Sequence, residues 1–144
     1  MANQARNLLF QDKLLKQEGS TLDITVFNGD VLLVGHVPSL ALRDLAIRRL
    51  DNLSGYRRLF KFIMVRTTVQ STWNDVWITS KIRTCIIADS AIDPNLFKVI
   101  TSDNIVYLMG DAPLSEGRRV IDIARHTNDV IRVVNLLKHF VLSV

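Results

Sequence analysis

One cysteine, three prolines and six glycines in 144 residues exclude several architectures at once. Cys85 has no second cysteine for an internal disulfide and no companions for a cysteine-based metal site. In its apolar helical surroundings it reads as a small buried hydrophobe, and one thiol does not fix the redox compartment. Glycine and proline are too few for a long low-complexity or disordered region. No apolar run approaches the roughly 18–20 residues that a membrane-crossing helix needs. Met1-Ala2-Asn3-Gln4-Ala5-Arg6 has no basic stretch followed by an apolar core, so no signal peptide is read there. Two readings stay open on that point: a cytoplasmic chain, or one from which a targeting segment was removed.

Catalytic signatures are also missing. There is no Gly-x-Ser-x-Gly, no phosphate-binding loop and no Gly-x-Gly-x-x-Gly. His36, His126 and His139 are scattered without the i, i+4 spacing of a helical metal pair. The carboxylates of Asp12, Asp30, Asp44, Asp89, Asp103, Asp111 and Asp129 fall mostly in turns or at helix ends, where capping is their usual work. The expectation is a protein with no catalytic residues, no metal and no cofactor: not an enzyme.

What is present begins with charge. Eighteen basic against fourteen acidic residues give +4, an excess that favours anionic partners without requiring one. Arg43, Arg48, Arg49, Arg57 and Arg58 crowd the first half, and Phe60 and Phe62 follow them as they would on an RNA-binding sheet. The Lys/Arg-Gly-Phe consensus of such a platform is absent, so no nucleic-acid partner is expected.

The chain also repeats itself. At an offset of 75 residues Val31, Leu33, Gly35, Pro38 and Arg43 match Val106, Leu108, Gly110, Pro113 and Arg118. A matched Gly and Pro at fixed distance from a matched strand point to duplication.

In the first copy a helix is expected from about Asn3 to Lys16, broken by Gly19-Ser20. Strands at Asp23–Asn28 and Asp30–His36 meet at Asn28-Gly29, the pair favoured where both turn residues need φ > 0. Gly35 is expected to end the second strand and Pro38 to open a helix. Along that helix Leu42, Leu45, Ala46, Leu50 and Leu53 form one stripe, and Arg57–Val65 is strand-prone. The second copy follows: a helix from about Asn74 to Ala88, a loop with Pro94, strands at Phe97–Ser102 and Ile105–Gly110, a helix over Pro113–Thr127, and a last strand from Ile131 to Val141.

The class is therefore α+β, as two tandem αββαβ modules, each a three-stranded mixed sheet with two helices packed on one face. The expected division is residues 1–66, a polar joint at 67–72, and residues 73–144.

The αββαβ order, the strand Val31-Leu32-Leu33-Val34-Gly35 and the proline before the next helix resemble the BON domain, a small bacterial envelope module. Two in tandem resemble the outer-membrane lipoproteins with dual BON domains. Asn74-Asp75-Val76-Trp77-Ile78-Thr79-Ser80-Lys81-Ile82-Arg83 is the more specific match, and Val106-Tyr107-Leu108-Met109-Gly110 and Arg132-Val133 also fit. The resemblance implies a periplasmic, outer-membrane-associated protein that binds anionic phospholipid, phosphatidylglycerol-like, through the first helix of the second module, with Trp77 as anchor. Two departures stand out: the lipobox cysteine is absent from this chain, and Trp73 is an addition.

On that helix, at about 100° per residue, Ile78, Ile82, Cys85 and Ile86 make the core stripe. Trp77 lies off it, on a flank shared with Lys81 and Thr84. Trp73 projects nearby, Ile87 also lies off the stripe, and Asp75 suits the positive end of the helix dipole. An indole beside an ammonium fits a lipid head-group layer. Periodicity alone leaves two fates for Trp77, lipid contact or packing between the modules; the resemblance favours the first. The lipid-contact set is therefore Trp77, Trp73, Lys81, Thr84 and Ile87. The alternative partner is another envelope protein, bound along a sheet edge such as the long last strand.

Overall fold

The computed structural model describes residues 1–10, 15, 19–67 and 73–140. The chain divides into two compact units, Met1–Gln70 and Ser71–Val144. Most of the expected joint at 67–72 lies outside the described residues, as do the end of the first expected helix and Val141.

In the first unit, helix α1 (Ala2–Leu9) precedes strands β1 (Thr21–Phe27) and β2 (Asp30–Val37), helix α2 (Leu40–Leu50) and strand β3 (Arg58–Val65). The second repeats the plan: α3 (Trp73–Ala88), a single 3₁₀ turn at Pro94–Leu96, β4 (Lys98–Ser102), β5 (Ile105–Pro113), α4 (Leu114–Arg125) and β6 (Arg132–Phe140). Each unit holds one mixed three-stranded sheet, ordered β1-β2-β3 and β4-β5-β6. The hairpin pairs are antiparallel, and the strand after each second helix returns parallel to the middle strand.

Both hairpin turns have two left-handed central residues: Asn28 and Gly29 at φ 50° and 80°, Asp103 and Asn104 at φ 53° and 63°. This is the backbone of a two-residue turn that follows the strands' own twist. Asn and Asp tolerate it, which is why Asp103-Asn104 can stand where the first unit has Asn28-Gly29.

Alternate residues of the middle strands send their side chains to the helices. In the first unit Val31, Leu33 and Val37 pack with Ala5, Leu9, Ala46, Leu50 and Ile63. In the second, Val106, Leu108 and Ala112 pack with Ile78, Ile82, Ile86, Val120 and Ala124. Such a core removes apolar side chains from water at about 25 cal/mol per Å².

Two local expectations are corrected. Gly35 and Gly110 do not end their strands, which continue to Val37 and Pro113. They serve close approach instead: a Cβ on Gly35 would lie 1.7 Å from the Thr21 carbonyl oxygen, and one on Gly110 would lie 2.0 Å from that of Leu96. Both sit at left-handed φ, 138° and 141°, which costs only glycine little. Nor does Pro38 open α2. Ser39 is its N-cap, its hydroxyl accepting the Leu42 N–H at 3.3 Å, and the proline stands just outside. Pro113 likewise precedes α4 as its cap residue.

Candidate functional site

Helix α3 is apolar on two opposite faces. Ile78, Ile82 and Ile86 are buried in the core of their unit. On a wheel of about 100° per residue, Trp73, Val76, Trp77, Ser80, Thr84 and Ile87 make the reverse face. Trp73 keeps 81% of its surface exposed, Ile87 70%, Val76 58% and Trp77 49%. Trp77, half exposed, is the most covered of the four. Trp73, Asn74, Val76, Trp77 and Ser80 line a shallow, mainly apolar depression of about 620 Å³.

One turn on from Trp77, the Lys81 ammonium lies 5.6 Å from the centroid of the indole ring. A cation–π contact at an exposed site is worth about 0.5–1 kcal/mol, enough to bias the lysine toward the ring. The Thr84 hydroxyl donates to the Ser80 carbonyl at 2.8 Å and so spends its proton within the helix. Ile87 is on the same face but at the opposite end of α3.

Asp75 does more than complement the helix dipole. Its carboxylate accepts the N–H of Asp103 at 3.0 Å and of Asn104 at 2.8 Å, the two left-handed residues of the β4–β5 turn. A turn later the Thr79 hydroxyl donates to that of Thr101 at 2.7 Å. The tryptophan-bearing end of α3 is therefore latched to the hairpin. The Asn104 carbonyl in turn accepts the N–H of Ile131 at 2.9 Å, where the chain enters β6. These partners stand far apart in the chain, and neither spacing nor composition announces them.

At the other end of α3, Asp89 accepts the Ala91 N–H and a two-pronged contact from Arg119, and Glu116 accepts the Asp93 N–H. The Ala91 N–H first, then Arg119, hold the Asp89 carboxyl below its ordinary pKa, against the opposing effect of desolvation.

The arginines of the first unit have internal duties. Asp30, buried at the head of β2, receives Arg57 Nε and Nη2 at 2.9 and 2.8 Å and Arg58 Nε at 2.9 Å. Burial pushes the Asp30 carboxyl up, but the hydrogen bonds and charges of the two guanidinium groups outweigh it and hold the pKa at about 2. The capping role expected of Asp30 is corrected accordingly. Arg58 also lies 5.1 Å from the Phe60 ring centroid, and Arg43 Nε donates to the Ile63 carbonyl at 3.0 Å. Arg48 Nε also donates to the Asp44 carbonyl at 3.4 Å, so Arg43, Arg48, Arg57 and Arg58, which suggested a nucleic-acid surface, are engaged within their own unit. His126, at the end of α4, has its Nδ1 2.7 Å from the Asp122 carbonyl. Among the described residues no three His, Cys, Asp or Glu side chains come together as a metal site.

Two consecutive stretches, residues 4–66 and 74–139, match the model of the BON domain. The chain belongs to the BON-domain family. It carries two BON domains, and α3 opens the second. Among curated proteins, the outer membrane lipoprotein DolP of Haemophilus influenzae is 25% identical over 138 residues, 94% of this chain and 71% of its own length. The 21 kDa hemolysin of Actinobacillus pleuropneumoniae is 27% identical over 135 residues, 90% of this chain and 69% of its own. The chain is thus a dual BON-domain protein, similar to both. Among solved structures, the C-terminal domain of CdsD, the structural protein of the type III secretion system of Chlamydia trachomatis, aligns over 96% of both chains. It is 11% identical, with a TM-score of 0.39. No helix among the described residues is long and apolar enough to cross a membrane.

Proposed function

We propose that this chain is a non-catalytic protein of the cell envelope, periplasmic and associated with the outer membrane, that binds anionic phospholipid through α3 and supports membrane integrity. Trp77 and Trp73 are the anchors, Lys81 meets the lipid phosphate, and Thr84 and Ile87 continue the same face. The observation that carries this is Trp77, half exposed on the side of α3 away from the core, with the Lys81 ammonium beside its ring. An indole of that kind prefers the interface between head groups and acyl chains. A basic residue near an anionic surface adds about 1 kcal/mol. Attachment of this strength is reversible, without insertion across the bilayer. The likeness to a protein named an outer membrane lipoprotein supports the location.

Cosedimentation with vesicles tests the reading. Binding to phosphatidylglycerol-rich vesicles is expected to exceed binding to phosphatidylcholine vesicles, to fall as salt rises, and to fall with Trp77→Ala. Equal binding to both lipids, or no effect of the substitution, rejects the site.

A second reading, an envelope protein bound along a sheet edge, draws on β6, which is an outer strand of its sheet. Against it, the Asn135 side chain accepts the Leu137 N–H at 3.0 Å and so occupies part of that edge. Capture of an envelope protein that survives Trp77→Ala would favour it.

A further inference from the structure

We propose that Ile131 is a second apolar anchor of the lipid-binding surface, so that the second BON domain meets the membrane with one end and not along the length of α3. This deepens the reading of α3 as the lipid contact and rests on it.

The argument starts from the turn at Asp103-Asn104. Asp75, between the two tryptophans in sequence, accepts the Asn104 N–H, and the Asn104 carbonyl accepts the N–H of Ile131. One residue thus ties the start of α3 to the start of β6, bringing both to the same end of the domain. The apolar side chains there are held out in water: Trp73, Val76 and Trp77 on α3, and Ile131 at 71% exposure. A β-branched residue so exposed contributes nothing to its own core, and its removal from water is favourable only against something apolar.

Charge indicates what that is. Lys81 lies beside Trp77, Arg132 follows Ile131 at the start of β6, and Arg125 lies in the last turn of α4, which leads into the same loop; all three are exposed. The Asp75 carboxylate is occupied by the turn and Asp103 is buried, so the exposed acids near this end are Asp129 in the loop and Asp122 in α4. The far end of α3 carries Asp89, Asp93 and Glu116, with Arg119 paired to Asp89. An exposed apolar patch with Lys81, Arg125 and Arg132 at the same end of the domain fits an anionic lipid layer met end-on. In that pose Ile87 stands at the distal edge of the contact and contributes less than Ile131.

The full chain is tested by cosedimentation with phosphatidylglycerol–phosphatidylcholine vesicles, comparing Ile131→Ser, Trp77→Ala and Ile87→Ser. All three side chains are exposed, and unchanged circular dichroism would establish that each variant is folded. Ile131→Ser and Trp77→Ala are each expected to weaken binding about tenfold or more, and Ile87→Ser by clearly less than either. If Trp77→Ala weakens binding and Ile131→Ser does not, the second anchor is rejected while the lipid reading stands. Losses at Ile87 equal to those at Ile131 mean a helix lying flat, which also overturns the proposal. Unchanged binding of Trp77→Ala removes the α3 reading itself, and this inference with it.

Discussion

The Lys81 ammonium sits over the indole of Trp77, 5.6 Å from its centroid, one helical turn along α3. The pair places a positive charge and an amphipathic ring at one point of the surface, and the two act in different ways. The ring's contribution comes from leaving water; the charge's comes from long-range attraction that salt screens. Lys81→Gln is therefore expected to weaken binding to phosphatidylglycerol-rich vesicles about fivefold and to flatten its salt dependence. Trp77→Ala should weaken it at every ionic strength. Cosedimentation at two salt concentrations separates these outcomes.

Gly35 and Gly110 are expected to be the least replaceable residues of the two sheets. Alanine at either would bring a Cβ within 2.0 Å of a carbonyl oxygen in the neighbouring backbone, which cannot rotate aside. Gly35→Ala and Gly110→Ala should each cost about 3 kcal/mol or more, read from urea denaturation by far-ultraviolet circular dichroism. Loss of less than about 1 kcal/mol at either position would contradict the close approach.

Asp30 makes the stability of the first unit sensitive to acid. Its folded pKa of about 2 lies below the ordinary value of 3.8, so folding favours the charged form. The stabilisation is complete above the unfolded value and is lost as pH falls through the folded one, between about pH 4 and pH 2. The amount is about 2 kcal/mol. Asp30→Asn should lower stability by about that much at neutral pH and remove this part of the acid dependence. Denaturation curves at several pH values check it, and parallel losses in both proteins would refute the assignment.

Asp75→Ala leaves the Asp103 and Asn104 N–H groups without their carboxylate acceptor. A cost of about 1–3 kcal/mol is expected. Hydrogen exchange at those two amides is expected to accelerate in the variant more than exchange in the middle of α3.

Much of this architecture could be read from residue order, for identifiable reasons. Period-two and period-3.6 patterns reflect a buried face, and both units have one well-defined buried face. Asn28-Gly29 announces its turn because glycine tolerates φ > 0; Asp103-Asn104 announces the same turn less loudly. Pro38 misled because a proline may stand just outside a helix as well as at its first position, and Ser39 is the better cap. Gly35 looked like a terminator because the Thr21 carbonyl that requires it lies on the neighbouring strand, out of sight of local pattern. In the site, Trp77 and Lys81 were visible as an i, i+4 pair off the core stripe. The Asp75 latch and the place of Ile131 were not, since both depend on hydrogen bonds between distant segments. The Arg57 and Arg58 contacts with Asp30 were hidden for the same cause, and adjacent arginines look alike whether they face solvent or a buried carboxylate.

Both indoles of the chain, Trp73 and Trp77, stand in water within the first five residues of α3. Ultraviolet emission from the unmodified protein therefore reports on that helix end alone. Transfer of α3 into a less polar medium would shift it to the blue without any label.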